Sequence, residues 1–218
     1  MTLIPRQPRP LTRDSASLRD DRLFIVACDD TFAPKQYFDF LRFTRVKIHV
    51  VPTPDGSSAA SHVLERLLRF DHDDDDELWM LLDTDHCVRG AHLASFVGAL
   101  AEAKRQRVNV ALSKPSFELW LLLHRVEETA LGVLPAAKDV EEALRAKLGQ
   151  YNKTSLKQEH YPFTSVCNAC IRAERLDATV SGGEIPNENT TRVYRLLKAI
   201  AAKALPQQLP PEFSGLLR

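Results

Sequence analysis

The amino-acid sequence predicts an α/β fold, with a parallel sheet wrapped by helices and a helical C-terminal extension. Three observations predict it. Short apolar runs alternate with amphipathic segments through the first 125 residues, the pattern of successive strand–helix–strand units joined by right-handed crossovers. Runs such as LFIVAC at 23–28 and LWMLL at 78–82 are apolar without a break, as strands buried on both faces are. Acidic residues follow the ends of these runs, and open α/β sheets bind ligands outside the carboxyl ends of their strands.

Residues 1–22 are rich in proline and arginine and lack apolar periodicity, so they are expected to form a flexible basic arm. The first strand is expected over 23–28. At 34–43, Tyr37, Phe38 and Leu41 recur at helical spacing. The alternating, β-branched RVKIHVV at 45–51 reads as a second strand, and 52–56 as a turn. Val63, Leu64, Leu67 and Leu68 form a helical stripe within 57–70. Six acids in the seven residues from Asp71 to Glu77 read as a solvated loop. The third strand spans 78–82. A helix over 91–104 presents Leu93, Phe96, Val97 and Leu100, and a fourth strand covers 108–112. Pro115 suits the first position of a helix, where its missing N–H costs nothing. FELWLLLH at 117–124 reads as a nearly fully buried helix.

Beyond residue 125 the strand signal disappears. Helices are expected over 138–148, ended by Gly149, over 165–176, and over 190–204, capped by Asn189 or Thr190. The expected organisation is therefore an arm at 1–22, an α/β core at 23–125, a helical part at 126–205 packed on that core, and a tail at 206–218.

Lysine plus arginine and aspartate plus glutamate both total 29, so the formal net charge is zero. A nucleic-acid partner would then need a local basic patch, because no overall field attracts it. The four cysteines lack the spacing of a disulfide scaffold, the charged, proline-containing first 22 residues do not form a signal peptide, and no apolar run approaches a membrane span. A cytoplasmic setting without membrane contact is the expectation. Cys167 and Cys170 supply half of a zinc spacing with nothing to complete it, and on a helix they read as small core residues.

Asp83-Thr84-Asp85 is the sharpest chemical signal. At an extended strand end, residues i and i+2 point the same way, so Asp83 and Asp85 can present oxygens to one ion. Asp29 and Asp30 end the first strand; neighbouring residues face opposite ways, so one of them is expected to reach the crevice. The bland alternatives are turn and helix-capping loops. Glu118 sits in the first turn of its helix, where an acid is favourable in any case, but its apolar neighbours Phe117, Leu119, Trp120 and Leu121 demand a partner for a buried charge. Gathered carboxylates repel unless a cation lies between them, and Mg²⁺ prefers such oxygen ligands. Asp29, Asp83 and Asp85 are therefore the candidate ligands for Mg²⁺ or Mn²⁺, with Glu118 beside them. Ser113 and Lys114, ending the fourth strand, are candidate phosphate contacts.

Several blocks resemble the RloB-like (AbiLii-like) proteins of bacterial restriction and abortive-infection loci. LSKPSFELWLLLH at 112–124 is similar to a long, specific family segment. CDDTFAPKQYF at 28–38 aligns without gaps to the family's first motif, LWMLLDTDHC at 78–87 looks like its strand and Asp-x-Asp, and Tyr151-x-Lys153 and PNENTTRVYRLL at 186–197 are fainter matches. The resemblance implies a Toprim-like (Rossmann-like) fold in which Asp29, Asp83 and Asp85 hold the ion and Glu118 joins them for phosphodiester chemistry. Asp29 stands where the family has Glu, and Asp30, Ala33 and Pro34 also depart from its first motif, which puts catalytic activity in question.

The expected function is a metal-dependent nuclease of an anti-phage defence system, acting on DNA or RNA, tRNA included, with an AAA-type ATPase as partner and a homodimer as a compatible assembly. Lys153 and Arg13 of the basic arm are its candidate nucleic-acid contacts. One alternative is a catalytically inactive Toprim-like nucleic-acid-binding or regulatory subunit. Another is a receiver-like phosphoacceptor domain with Asp83 as acceptor, which would need a fifth strand ending in lysine.

Overall fold

The computed structural model describes residues 22–30, 32–43, 46–53, 56–85, 92–203 and 210–213. The expected basic arm, Arg13 within it, and most of the tail lie outside these residues. Four parallel strands form first: β1 (Arg22–Cys28), β2 (Val46–Val50), β3 (Glu77–Asp83) and β4 (Asn109–Lys114). They alternate with helices α1 (Ala33–Phe40), α2 (Ala60–Arg69) and α3 (His92–Arg105). The remaining elements are α4 (Glu118–Leu123), α5 (Ala137–Leu148), α6 (Phe163–Asp177), β5 (Thr190–Thr191) and α7 (Val193–Lys203). The sheet order is β2-β1-β3-β4-β5, so β1 and β3 are neighbours and their carboxyl ends adjoin.

The unbroken apolar runs are explained by two-sided burial. In β1, Phe24, Val26 and Cys28 join a core with α1 and α4–α7, while Ile25 and Ala27 join another with α2 and α3. Trp79 and Leu81 of β3 divide from Leu78, Met80 and Leu82 in the same way. The first core holds Trp120 and Leu122 of α4 together with Leu144 of α5, Val166 of α6 and Leu197 of α7. The C-terminal helices thus complete the core that β1 and β3 begin.

Four expectations are corrected. A strand does occur after residue 125: β5 pairs antiparallel with β4, Thr191 opposite Ser113 and Thr190 opposite Lys114. Two residues are too few to give a periodic signal. The last helix consequently starts at Val193, and Asn189 does not cap it; its side chain accepts from the Leu134 N–H and donates to the Leu134 and Lys114 carbonyls. Pro115 is not the first residue of α4, which begins three residues later at Glu118. In α3 the buried stripe is Phe96, Ala99, Leu100 and Ala103, whereas Leu93 and Val97 are exposed. The two alanines let the helix lie close to the sheet, and that contact turns Leu93 and Val97 outward. Gly149 ends α5 as expected, with a φ of 75° that favours glycine. Cys28 and Cys170 are buried.

Candidate functional site

The carboxyl ends of β1 and β3 open into a cleft of about 370 Å³. Asp29, Asp30, Asp83, Asp85 and Glu118 line it, joined by Ser116, by Glu141 of α5 and by Lys153. Tertiary structure therefore brings together acids from four separate segments, and Lys153 lines the cleft with them. Asp29 and Asp30 both reach the cleft, because the chain leaves the strand after Cys28 and strict alternation ends there. Asp30 turns back on itself, its Oδ1 accepting the Phe32 N–H at 2.8 Å.

Asp29 is fixed firmly. Its Oδ1 accepts the Asp30 N–H at 2.9 Å, and its Oδ2 accepts the Asp83 N–H at 2.7 Å. The second bond ties the end of β1 to the end of β3. The Asp-x-Asp segment is held from its other side: the Thr84 N–H meets the Ser113 and Pro115 carbonyls, and the Asp85 N–H meets the Pro115 carbonyl at 3.2 Å. The bond from Pro115 aligns this turn with the entry to α4. Glu118 is 4% exposed and its Oε1 accepts the Tyr151 hydroxyl proton at 2.9 Å. That bond is the partner its apolar surroundings require.

The segment carrying Tyr151 and Lys153 is clasped by α1. Gln36 Nε2 donates to the Lys153 carbonyl at 2.7 Å, and Gln36 Oε1 accepts the Leu156 N–H at 2.9 Å. Sequence reading did not single out Gln36, Ser116 or Glu141, which carry no spacing signal; for Tyr151 the Tyr-x-Lys block was the available sign.

Crowding shapes the acidities. Burial pushes the Asp29 carboxyl up to about 7, against the pull of the Asp83 and Asp30 amides. Asp83 is raised well above the carboxylate range by burial, then by the negative charges of Asp29, Glu118 and Asp85. Burial raises Glu118 too, opposed by the hydroxyls of Ser116 and Tyr151. Each of these three acids holds its proton more tightly than a free carboxyl does.

The donor set is all oxygen, as Mg²⁺ and Mn²⁺ require. Among the described residues, no three acidic, histidine or cysteine side chains converge tightly enough to enclose an ion. That suits an ion held by one or two carboxylates and otherwise by water, the usual habit of Mg²⁺.

Two candidates lie elsewhere. Ser113 is buried, its hydroxyl 2.9 Å from that of Thr191. The Lys114 ammonium donates to the Pro186 carbonyl at 3.1 Å. Both side chains bond near the β4–β5 junction, and neither lines the cleft. His124 is also apart from Glu118, its Nδ1 2.8 Å from the Ser165 hydroxyl.

Fold and cleft together define an α/β protein with clustered acids at the carboxyl edge of a mainly parallel sheet. The chain belongs to the RloB-like family, whose model matches residues 24–200. No curated protein and no solved structure matches it. No helix among the described residues is long and apolar enough to cross a membrane.

Proposed function

We propose that this protein is a Mg²⁺- or Mn²⁺-dependent nuclease with a Toprim-like site, the phosphodiester-cleaving component of a bacterial anti-phage system that works with a partner ATPase. The observation that carries this reading is the convergence of Asp29, Asp83, Asp85 and Glu118 on one cleft at the ends of β1 and β3. Family membership supports it.

Asp83 and Asp85 would hold the ion, with water completing its shell, and Asp29 would fix the end of β3 beside it through the Asp83 N–H. A divalent ion held there would supply Lewis-acid polarisation of a phosphoryl oxygen and would acidify a bound water. Glu118 holds or takes up a proton at Oε1, where the Tyr151 hydroxyl fixes its orientation. Lys153 offers a charge to a non-bridging phosphate oxygen. Cleavage of plasmid, single-stranded DNA and tRNA tests the reading with either metal. The expected result is metal-dependent cleavage that is weak without a partner and lost in Asp83→Asn and Asp85→Asn. Metal-independent cleavage, or undiminished activity in both variants, would overturn it.

A second reading, a non-catalytic nucleic-acid-binding or regulatory subunit, draws on one observation: both oxygens of Asp29 already serve backbone amides. Binding without cleavage under every metal and partner condition would select it. The receiver-like reading has less support, because β5 is antiparallel, two residues long and without lysine.

A further inference from the structure

A second cavity, of about 700 Å³, opens at the β4 edge of the sheet, lined by Lys104, Arg107, Arg192 and Arg195 and by the apolar wall of Leu100, Val108 and Val110. Its floor is an open strand edge. The Thr84 N–H reaches the Ser113 carbonyl on the β3 side, whereas the Arg192 N–H reaches the Leu112 carbonyl and the Val108 N–H the Ala103 carbonyl on the other side. Backbone groups alternate along a strand, so the N–H and C=O of Val110 point outward with those of Leu112. β5 covers only Ser113 and Lys114. Among the described residues, no strand pairs with Val110 on that side.

We propose that this edge is a docking site for an extended acidic peptide segment of a partner protein, which adds a strand to the sheet beside β4. Main-chain pairing supplies affinity in such additions, and pockets for alternate side chains supply specificity. The cations flank the edge on both faces of the sheet. Lys104 ends α3, which packs on one face, and Arg195 lies in α7, which packs on the other. Lys104 and Arg107 are exposed and make no ion pair among the described residues. Arg192 and Arg195 share the carboxylate of Asp177, and Glu184 also lines the cavity; with Lys104 and Arg107 the surroundings of the edge still carry a net positive charge. An added strand therefore meets cations with both sets of its alternating side chains.

The same features argue against other occupants. A second copy pairing β4 to β4 would bring two positively charged edges together, which is repulsive. A nucleic-acid backbone could take the cations and the Val110 N–H, but its phosphates have no donor for the Val110 carbonyl. The groove lies along β4 and the end of α3, away from the acidic cleft, and the proposal holds or fails independently of any nuclease activity.

Fluorescence anisotropy with the full chain tests it. The probe is a short labelled peptide of paired glutamates separated by single valines, which puts carboxylates on both faces of an extended chain. Controls are the same peptide with lysine for glutamate, the same peptide N-methylated at alternate amides, and single-stranded oligothymidylate. The acidic peptide is expected to bind, the lysine and N-methylated peptides are not, and Lys104→Glu with Arg107→Asn weakens binding about tenfold, as the loss of two partly exposed ion pairs implies. Asparagine is chosen because Arg107 has a φ of 57°, which it tolerates. Thermal melts establish that the variant is folded. Four outcomes would each overturn the proposal: no binding of the acidic peptide, equal binding of the lysine or N-methylated peptide, affinity unchanged in the folded variant, or displacement of the peptide by oligothymidylate.

Discussion

Asp29 combines two roles that pull against each other. It accepts two backbone amides, one of which joins β1 to β3, yet burial holds its carboxyl near 7. The sign of the pH effect follows. The folded protein binds this proton more tightly than the unfolded chain, so the associated stability is fully present below the ordinary aspartate range and is lost as pH rises through about 7. Asp83 and Glu118 shift in the same direction. Without metal, the melting temperature is expected to fall between pH 5 and pH 8, and Mg²⁺ or Mn²⁺ should restore it at pH 8 far more than at pH 5, since ions bind the deprotonated acids. Melting curves across pH, with and without metal, check this; a flat profile would contradict it. Substitution separates the two roles. Asp29→Ala strands buried amides and should cost about 1–3 kcal/mol. Asp83→Asn relieves repulsion and should raise the metal-free melting temperature at pH 8. Denaturant titration of both variants distinguishes these outcomes.

At the scale of elements, the site depends on segments that contribute no strand to the sheet. Tyr151 and Lys153 lie between α5 and α6, and Gln36 of α1 holds their backbone in place. The Tyr151 hydroxyl holds the Glu118 pKa down against the rise that burial causes, so Tyr151→Phe should raise it further. The acidic limb of a pH–cleavage profile should then move to higher pH while the melting temperature changes little. An unmoved limb would separate Glu118 from the proton step. Asn189 braces another junction, with hydrogen bonds to both polar groups of the Leu134 peptide and to Lys114. Asn189→Ala should destabilise by about 1–3 kcal/mol through the groups left unpaired, as measured by denaturant unfolding.

For the whole molecule, one core crosses residue 125. Trp120, Leu121 and Leu123 of α4 are fully buried in a core shared with α5, α6 and α7, and β5 extends the sheet. The described fold should melt in one transition, and a fragment ending at residue 125 should not fold, because it would expose that core to water. Calorimetry and circular dichroism on both lengths test this; a cooperative melt of the short fragment would refute it. Zero net charge places any attraction for nucleic acid in local patches. Affinity should therefore fall steeply with added salt, and binding indifferent to ionic strength would exclude a phosphate-contacting mode.

What the sequence by itself determined is periodic. Unbroken apolar runs announced strands buried on both faces, helical stripes announced the crossovers, and acids placed straight after strands marked the edge where a site could form. The adjacency of Asp29 and Asp83 was legible because strand order follows from parallel α/β topology. Tertiary structure alone decided the rest. It recruited Glu141 to the cleft and gave Glu118 its Tyr151 partner, pairings between distant segments that leave no periodic trace. It withdrew Ser113 and Lys114 by laying β5 against β4, a pairing of two residues that becomes favourable only once the sheet edge exists. It also left Val110 without a strand partner on one side among the described residues, since the reach of β5 along that edge is set by packing between α6, α7 and β4, a long-range contact that no local pattern encodes.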